Sequence, residues 1–389
     1  MIDVSLIVPV YNVSEYLPEC LDSLINQTFE NIEIICVNDG STDNCLEILE
    51  DYSRKDERIK IISQKNSGLG ASRNVGMKQA SGKYIFFMDS DDFLELNAIE
   101  LLYENITKNE SDVAFYRGYK YTDGNRTDYA MLNFNKVFGG CDYHDFTFTY
   151  RDAKGYVLNN GYNAVLKLYR KEFLDSYPDF YFPEGIAFED ILFHVKMMVR
   201  ASKLSFIPDR LYYYRYNESS IVNTPEYTFD IFLNIDMVEE FLIKNGLMEE
   251  FAEDFEYFKM KRLDFHLMKS NSEEFFRMTK ECYSHIKPND LFKPAELERF
   301  NILLDSGNFA EYLIRLYNNK DKDLAKLRKT NRDLKNKNNK LKKENDDLKS
   351  KNNKLKKAND ELDSLNSEIL SSNSWKITKP LRSFKKSLK

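Results

Sequence analysis

The chain lacks the marks of several common protein classes. Its five cysteines (Cys20, Cys36, Cys45, Cys141 and Cys282) are an odd number with no CxxC pair, which argues against a disulfide framework and against a zinc knuckle. No run of 18 apolar residues occurs, so no membrane span is expected. The first ten residues pass into a strand-like run without a charged leader, so no secretory signal is expected either. There is no G-x-x-x-x-G-K-[ST] motif, and the first apolar run leads into Pro9-Val10-Tyr11-Asn12 instead of a glycine-rich turn. Gly68-Leu69-Gly70 finds its third glycine only at Gly76, too late for the dinucleotide fingerprint. A net charge of -7 argues against nucleic acid as a partner.

What is present fits a globular protein of more than one unit: 389 residues, 42% apolar and 14% aromatic. The charge is uneven. Residues 374–389 hold six basic side chains and no acidic one, leaving 50 basic against 63 acidic elsewhere. Over the first hundred residues, apolar runs at 4–10, 32–37, 59–62 and 84–88 alternate with amphipathic stretches at 15–26, 44–55 and 71–81. That alternation predicts an α/β unit with a mostly parallel sheet flanked by helices. Such sheets bind ligands at the carboxyl ends of their strands, which here carry Tyr11, Asp39 and Asp89-Ser90-Asp91-Asp92.

The last of these stretches is the most informative. Grouped carboxylates stay ionised together only if a cation or a set of donors offsets their repulsion, and oxygen ligands suit Mg2+ or Mn2+. A surface turn with an acidic helix cap would read the same way. Tyr11 can stack on a base while the backbone of Pro9 and Val10 bonds its edge, and Asp39 can accept from a base N–H or a ribose hydroxyl. Asp43, among turn and cap residues, reads as structural. Arg73 can face a ligand or hold the acids by ion pairing. The aromatic-rich stretch 112–223, with Tyr212-Tyr213-Tyr214, reads as core and half-buried strand faces in preference to a carbohydrate platform.

Further along, 226–318 reads as helical. From 324 onward Leu334, Leu341, Leu348, Leu355, Leu362 and Ile369 recur every seven residues, with Asn331, Asn338, Asn345, Asn352, Asn359 and Asn366 three positions ahead of them. Leu or Ile at d with Asn at a specifies a weak parallel homodimer; a solvated spacer about 70 Å long is the alternative. In the tail, Leu381, Phe384 and Leu388 share one helical face among basic residues, a pattern suited to reversible contact with an anionic membrane. A solvated basic end would look the same.

Four segments, Ser5-Leu-Ile-Val-Pro-Val-Tyr-Asn12, Val37-Asn-Asp-Gly-Ser-Thr-Asp43, Asn66-Ser-Gly-Leu-Gly-Ala-Ser-Arg-Asn74 and Phe87-Met-Asp-Ser-Asp-Asp92, together resemble the successive motifs of the family-2 glycosyltransferases. The resemblance covers residues 1 to about 220. It implies a GT-A fold, inversion at the sugar, and a nucleotide-diphosphate sugar, with a UDP-sugar expected. It further implies Mn2+ or Mg2+ held by Asp91 and Asp89, with Asp89 alternatively at the ribose, and Pro9, Val10, Tyr11, Asp39, Arg73 and Asp89 at the nucleotide. Phe188-Glu189-Asp190-Ile191 matches the acceptor-side ED motif, which makes Asp190 the general base and Glu189 the reserve; as bare residues they read as a helix start. Arg215 and Ser219 resemble an element that closes over the diphosphate.

The resulting expectation divides the chain into a GT-A domain at 1–225 (donor half 1–105, acceptor half 106–225), a helical region at 226–318, a heptad coiled coil at 319–370 and a basic tail at 371–389. The function expected is transfer of a sugar to a hydroxyl of a saccharide, glycolipid or surface polymer, at a cytoplasmic location peripheral to the inner membrane face. A non-catalytic sugar- or nucleotide-binding scaffold on the same fold is the competing reading.

Overall fold

The computed structural model describes residues 2–122, 124–129, 137–138, 146–159, 162–216, 224 and 227–372, with the side chains of 321–327 excepted. Its first unit, Met1–Phe309, is built on strands that are continuous apolar runs. Strands β1 (Val4–Val10) and β2 (Ile32–Asn38) are buried at every residue, as expected of parallel strands covered on both faces. The helices between strands follow their amphipathic spacing: α1 (Leu17–Ile25), α2 (Cys45–Lys55) and α3 (Leu69–Gln79) lie between β1, β2, β3 (Ile59–Ser63) and β4 (Tyr84–Phe87). Each boundary is within two residues of the sequence-based expectation.

The chain continues through β5 (Phe93–Leu94), α4 (Ala98–Asn109), β6 (Val113–Thr122), β7 (Asn125–Tyr129), β8 (Thr147–Phe148), α5 (Lys154–Val157), β9 (Lys167–Arg170), α6 (Lys171–Asp175), α7 (Asp190–Arg200) and β10 (Leu204–Arg215). Among the described residues ten strands form one sheet, ordered β3-β2-β1-β4-β9-β6-β10-β5, with β7 on β6 and β8 on β10. Neighbours among β1 to β4 run parallel, as do β6 and β10; β9 runs antiparallel between β4 and β6. The sheet is therefore mostly parallel and flanked by helices. β9 closes the gap between two parallel groups, which brings the carboxyl ends of β4 and β10 to the same edge.

Helices α8 (Asp230–Lys244), α9 (Met248–Ser270), α10 (Glu273–His285) and α11 (Pro294–Asp305) belong to the same unit as the sheet. The second unit, Ala310–Lys389, consists, among its described residues, of helix α12 (Phe309–Ser371). Along it Leu334, Leu341, Leu348, Leu355, Leu362 and Ile369 are exposed by 46 to 69%. The basic tail beyond Ser372 lies outside the described residues. No described helix is long and apolar enough to cross a membrane.

The packing of α3 on β1 has a measurable consequence. A Cβ on Gly76 would lie 2.3 Å from Cγ2 of the buried Ile7, so Gly76→Ala is expected to cost about 1–3 kcal/mol by overpacking. Gly155→Ala, where the nearest atom is 4.0 Å away, is expected to be neutral or stabilising by up to about 1 kcal/mol. Thermal denaturation of the two variants checks the contrast.

Candidate functional site

The site assembles at the carboxyl edge of the sheet. After β1, Tyr11 is 46% exposed and Asn12 takes a left-handed conformation with φ of 51°. Asn12 ties this loop to the next one: its N–H donates to Ser41 Oγ at 3.2 Å, and its Oδ1 accepts from Thr42 N at 2.8 Å. Asp43 accepts from Ser14 N and Cys45 N, which ties the start of α2 to the loop after β1. Pro9 and Val10 are buried, and the Val10 carbonyl is already engaged by Asp39 N at 2.9 Å. The Asp39 carboxylate is buried and accepts from Gln64 Nε2, Ser67 N and Gly68 N at 2.7 to 2.9 Å. It thereby shapes the turn in which Gly68, with φ of 91°, starts α3 in a conformation that glycine adopts without strain.

One turn into α3, Arg73 is buried, and its two terminal nitrogens point to two different acids. Nη2 donates to Asp89 Oδ1 at 2.8 Å and Nη1 to Glu189. Arg73 thus makes the ion pairs that its sequence position allowed. Burial would lower its pKa, but the charges of Asp89 and Glu189 outweigh that and hold it above the usual value. Asn74 adds a second tie, with Nδ2 donating to Phe182 O and Glu184 Oε1 and Oδ1 accepting from Phe182 N, each at 2.9 Å. A Cβ on Gly70 would meet the Pro183 carbonyl at 2.3 Å, so glycine there permits α3 to pack against the 183–184 turn.

The helical region fixes the far side of that turn. Ala187 N donates to Asp230 Oδ2 at 2.8 Å, and Asn234 Nδ2 donates to Ala187 O at 2.9 Å. The Phe188 ring lies 4.6 Å from that of His266, while its backbone is held at a φ of 61°, a conformation of roughly 1–2 kcal/mol cost for a bulky residue. Sequence reasoning missed Asp230 and Asn234, whose hydrogen bonds to loop backbone leave no pattern in the chain.

At the end of β4, the four acidic-loop residues divide the work. Asp92 is buried; its Oδ2 accepts from Tyr212 hydroxyl at 2.6 Å and its Oδ1 from Arg215 N at 2.7 Å. Burial first, then Asp91 and Asp89, push its pKa far up. Among the described residues no side chain donates to the half-buried Asp91 carboxylate, whose pKa rises to about 6 through burial and the charge of Asp89. The Arg215 guanidinium is engaged as well, with Nε donating to Asp91 O at 2.8 Å and Nη2 pairing with Glu19. Ser219 lies outside the described residues.

Asp190, at the start of α7, is half-buried beside Glu189. Burial and then the Glu189 charge raise its pKa to about 7, against the opposing pull of Arg73 and Lys167. Glu189 is itself raised by burial. Lys167 of β9 is buried, donates to the Asn163 carbonyl, and has its pKa brought down to about 7 by burial.

The donor set suits a hard cation in one respect. Asp91 and Asp89 lie two residues apart on the open edge, and the positive charge of Arg215 only partly offsets the burial of Asp91 and its repulsion by Asp89. No group of three or more such ligands converges among the described residues, so the protein would supply one or two ligands and substrate phosphate the rest, as Mg2+ commonly binds.

The model of glycosyl transferase family 2 matches residues 5–177. The glycosyltransferase GlyG of Streptococcus pneumoniae serotype 4 is 35% identical over 61% of this chain and 78% of its own. The chain belongs to glycosyl transferase family 2. The first unit accordingly has a GT-A-like fold. GlyA of the same organism is 35% identical over 56% of this chain, which spans only 31% of GlyA. Among solved structures, residues 1–349 of S. aureus TarS in complex with UDP-GlcNAc match at 26% identity. That match covers 71% of this chain and 84% of the other, with a TM-score of 0.49.

Removing the shared cation should leave two acids without compensation. Arg73→Met is expected to destabilise the fold by about 3 kcal/mol or more. Adding Glu189→Gln should recover part of that loss, as contacting residues couple in a double-mutant cycle; denaturant titrations of the single and double variants measure it.

Proposed function

We propose that the chain is a metal-dependent inverting glycosyltransferase that moves a sugar from a nucleotide diphosphate, UDP being our first choice of nucleotide, to a hydroxyl of a saccharide, glycolipid or surface polymer. The observation that carries this reading is the Arg73 bridge, which sets the Asp89–Asp91 acids and the Glu189–Asp190 acids side by side on one sheet edge. In this reading Tyr11 stacks on the base. The remaining lone pairs of Asp39 and the backbone at Pro9 and Val10 face the nucleoside. Asp91, with Asp89, would hold Mn2+ or Mg2+, which as a Lewis acid offsets charge on the leaving diphosphate. Arg73 holds Asp89 and Glu189 in place. Arg215 and, by the family resemblance, Ser219 would contact the diphosphate.

The acceptor hydroxyl attacks the anomeric carbon as the bond from that carbon to the diphosphate oxygen breaks. Its proton passes to the Asp190 carboxylate, and the nucleoside diphosphate leaves. A base with a pKa near 7 is matched to such a transfer at neutral pH. The heptads of α12 serve a parallel homodimer, supported by the exposed d-position leucines, and the basic tail would contact anionic lipid at the inner face of the cell membrane.

Thermal-shift screening of UDP, GDP and their sugars with MnCl2 tests the donor assignment. UDP-type stabilisation that disappears in Asp91→Ala is expected, and no stabilisation by any nucleoside diphosphate would refute the enzyme reading. Transfer requires ionised Asp190, so kcat/KM should rise with pH through about 7. Asp190→Asn should abolish transfer. It should also melt higher than wild type at pH 8. The folded carboxyl binds its proton more tightly than the unfolded one, so ionisation costs stability increasingly from about pH 4 to pH 7. Below pH 4 the two proteins should converge.

Across the Asn-containing heptads 331–369 of a parallel in-register pair, Lys337 meets Lys342 and Lys351 meets Lys356, while Glu344 and Lys349 attract. Sedimentation should therefore show dimer increasing with salt and lost on truncation after Asn319; one oligomeric state for both chains would exclude the dimer. Deleting 374–389 should weaken binding to anionic liposomes, and unchanged binding would remove the membrane role.

A further inference from the structure

We propose that the tyrosines on one face of β10, Tyr212, Tyr214 and Tyr216, with Tyr129 of β7 backing the middle ring, form a saccharide platform that receives the acceptor. The proposal rests on the glycosyltransferase reading above.

Alternate residues of a strand share a face, so the three tyrosines point to one side. Tyr216 follows the end of β10, but its N–H still donates to Tyr121 O at 2.9 Å, which prolongs the ladder and keeps the alternation. The inner end of the row is fixed to the acidic loop: the buried Tyr212 donates to Asp92 Oδ2 at 2.6 Å. The amide that follows Tyr214, that of Arg215, donates to the other Asp92 oxygen at 2.7 Å. Tyr214 therefore stands directly beside the acids.

Tyr129 reaches the same face through register. It pairs with Gly118, which in turn pairs with Tyr212. A Cβ on Gly118 would lie 3.0 Å from the Tyr212 carbonyl. The rings of Tyr129 and Tyr214 stack with centroids 4.7 Å apart and planes 3° from parallel. The Tyr129 hydroxyl is held far above its ordinary value, first by burial and then by Tyr214, Asp92 and Asp190, which places this ring pair near both the acidic loop and the proposed base. At the outer end Tyr216 is 44% exposed, with Lys120 Nζ 3.7 Å from its ring centroid.

A row of tyrosines serving only the core would be buried along its length. This row grades from buried to half-buried to exposed, in steps of about 6.8 Å per two residues. Tyr212 anchors the row, while Tyr214 and Tyr216 each carry an apolar ring face together with a hydroxyl, the combination that a sugar ring's C–H face and hydroxyls can use. Tyr11, the proposed base contact, lies instead after β1, so the row on β10 is left for the acceptor.

The full-length chain with UDP and MnCl2 is examined by saturation-transfer NMR against unlabelled lactose, cellobiose and N,N′-diacetylchitobiose. Transfer to at least one disaccharide is expected. Its affinity should fall about tenfold, the scale of a lost aromatic contact, in Tyr214→Ala and in the surface variant Tyr216→Ala. Tyr214→Phe should stay within about twofold, and UDP affinity should hold in all three. Absence of transfer to every disaccharide, equal transfer in Tyr214→Ala and Tyr216→Ala, or a UDP loss matching the sugar loss in Tyr214→Ala would overturn the platform. If wild type fails to bind UDP, the donor reading fails; disaccharide transfer lost in the alanine variants would still uphold the platform.

Discussion

The buried guanidinium of Arg73 is the constraint on which the site depends. One cation, held on the first turns of α3, contacts Asp89 from the end of β4 and Glu189 from the start of α7. Glu189 is buried, and burial costs a charge more than a single neutral hydrogen bond returns, so its carboxylate depends on this cation. Arginine suits the position because its planar fork offers donors in two directions at once and stays protonated. The pairing also converts a sequence separation of 116 residues into direct contact, so the two acidic motifs are positioned by one side chain.

The rest of the unit can be read as support for that contact. The Asp39 carboxylate sets the turn that launches α3, Gly70 brings the helix against the 183–184 turn, and Asn74 bonds that turn on both its donor and acceptor sides. From the other side Asp230 and Asn234 clamp Ala187, which holds Phe188 in its left-handed conformation. The helices after residue 226 thus contribute to the site without lining it. On the acidic loop, Tyr212 and the Arg215 amide occupy Asp92, which leaves Asp91 as the carboxylate that no side chain among the described residues bonds.

The first hundred residues were legible because parallel strands buried on both faces must be continuous apolar runs, and the helices between them must be amphipathic. The acids at strand ends followed from that alternation. Two-residue strands such as β5 and β8 carry too few side chains to leave a pattern, and the antiparallel placement of β9 is set by its neighbours. Arg73 presented two chemically sound roles, and the choice between them required knowing that Glu189 lies within reach. The tyrosines of β10 showed only a cluster; the register with β6 and β7 separates the core-facing Tyr213, stacked at 4.4 Å on Phe93, from Tyr214, stacked on Tyr129. Asp230 and Asn234 bond main-chain atoms, which look alike at every position.

The coupling of Asp89 to the proposed base through Arg73 is measured most directly by the ionisation of Asp190. Carbon-13 NMR titration of its carboxyl should give a pKa near 7 in the wild-type protein and a higher value in Arg73→Gln, because the nearby positive charge that favours the carboxylate is gone. An Asp190 pKa that is the same in both proteins would contradict the coupling.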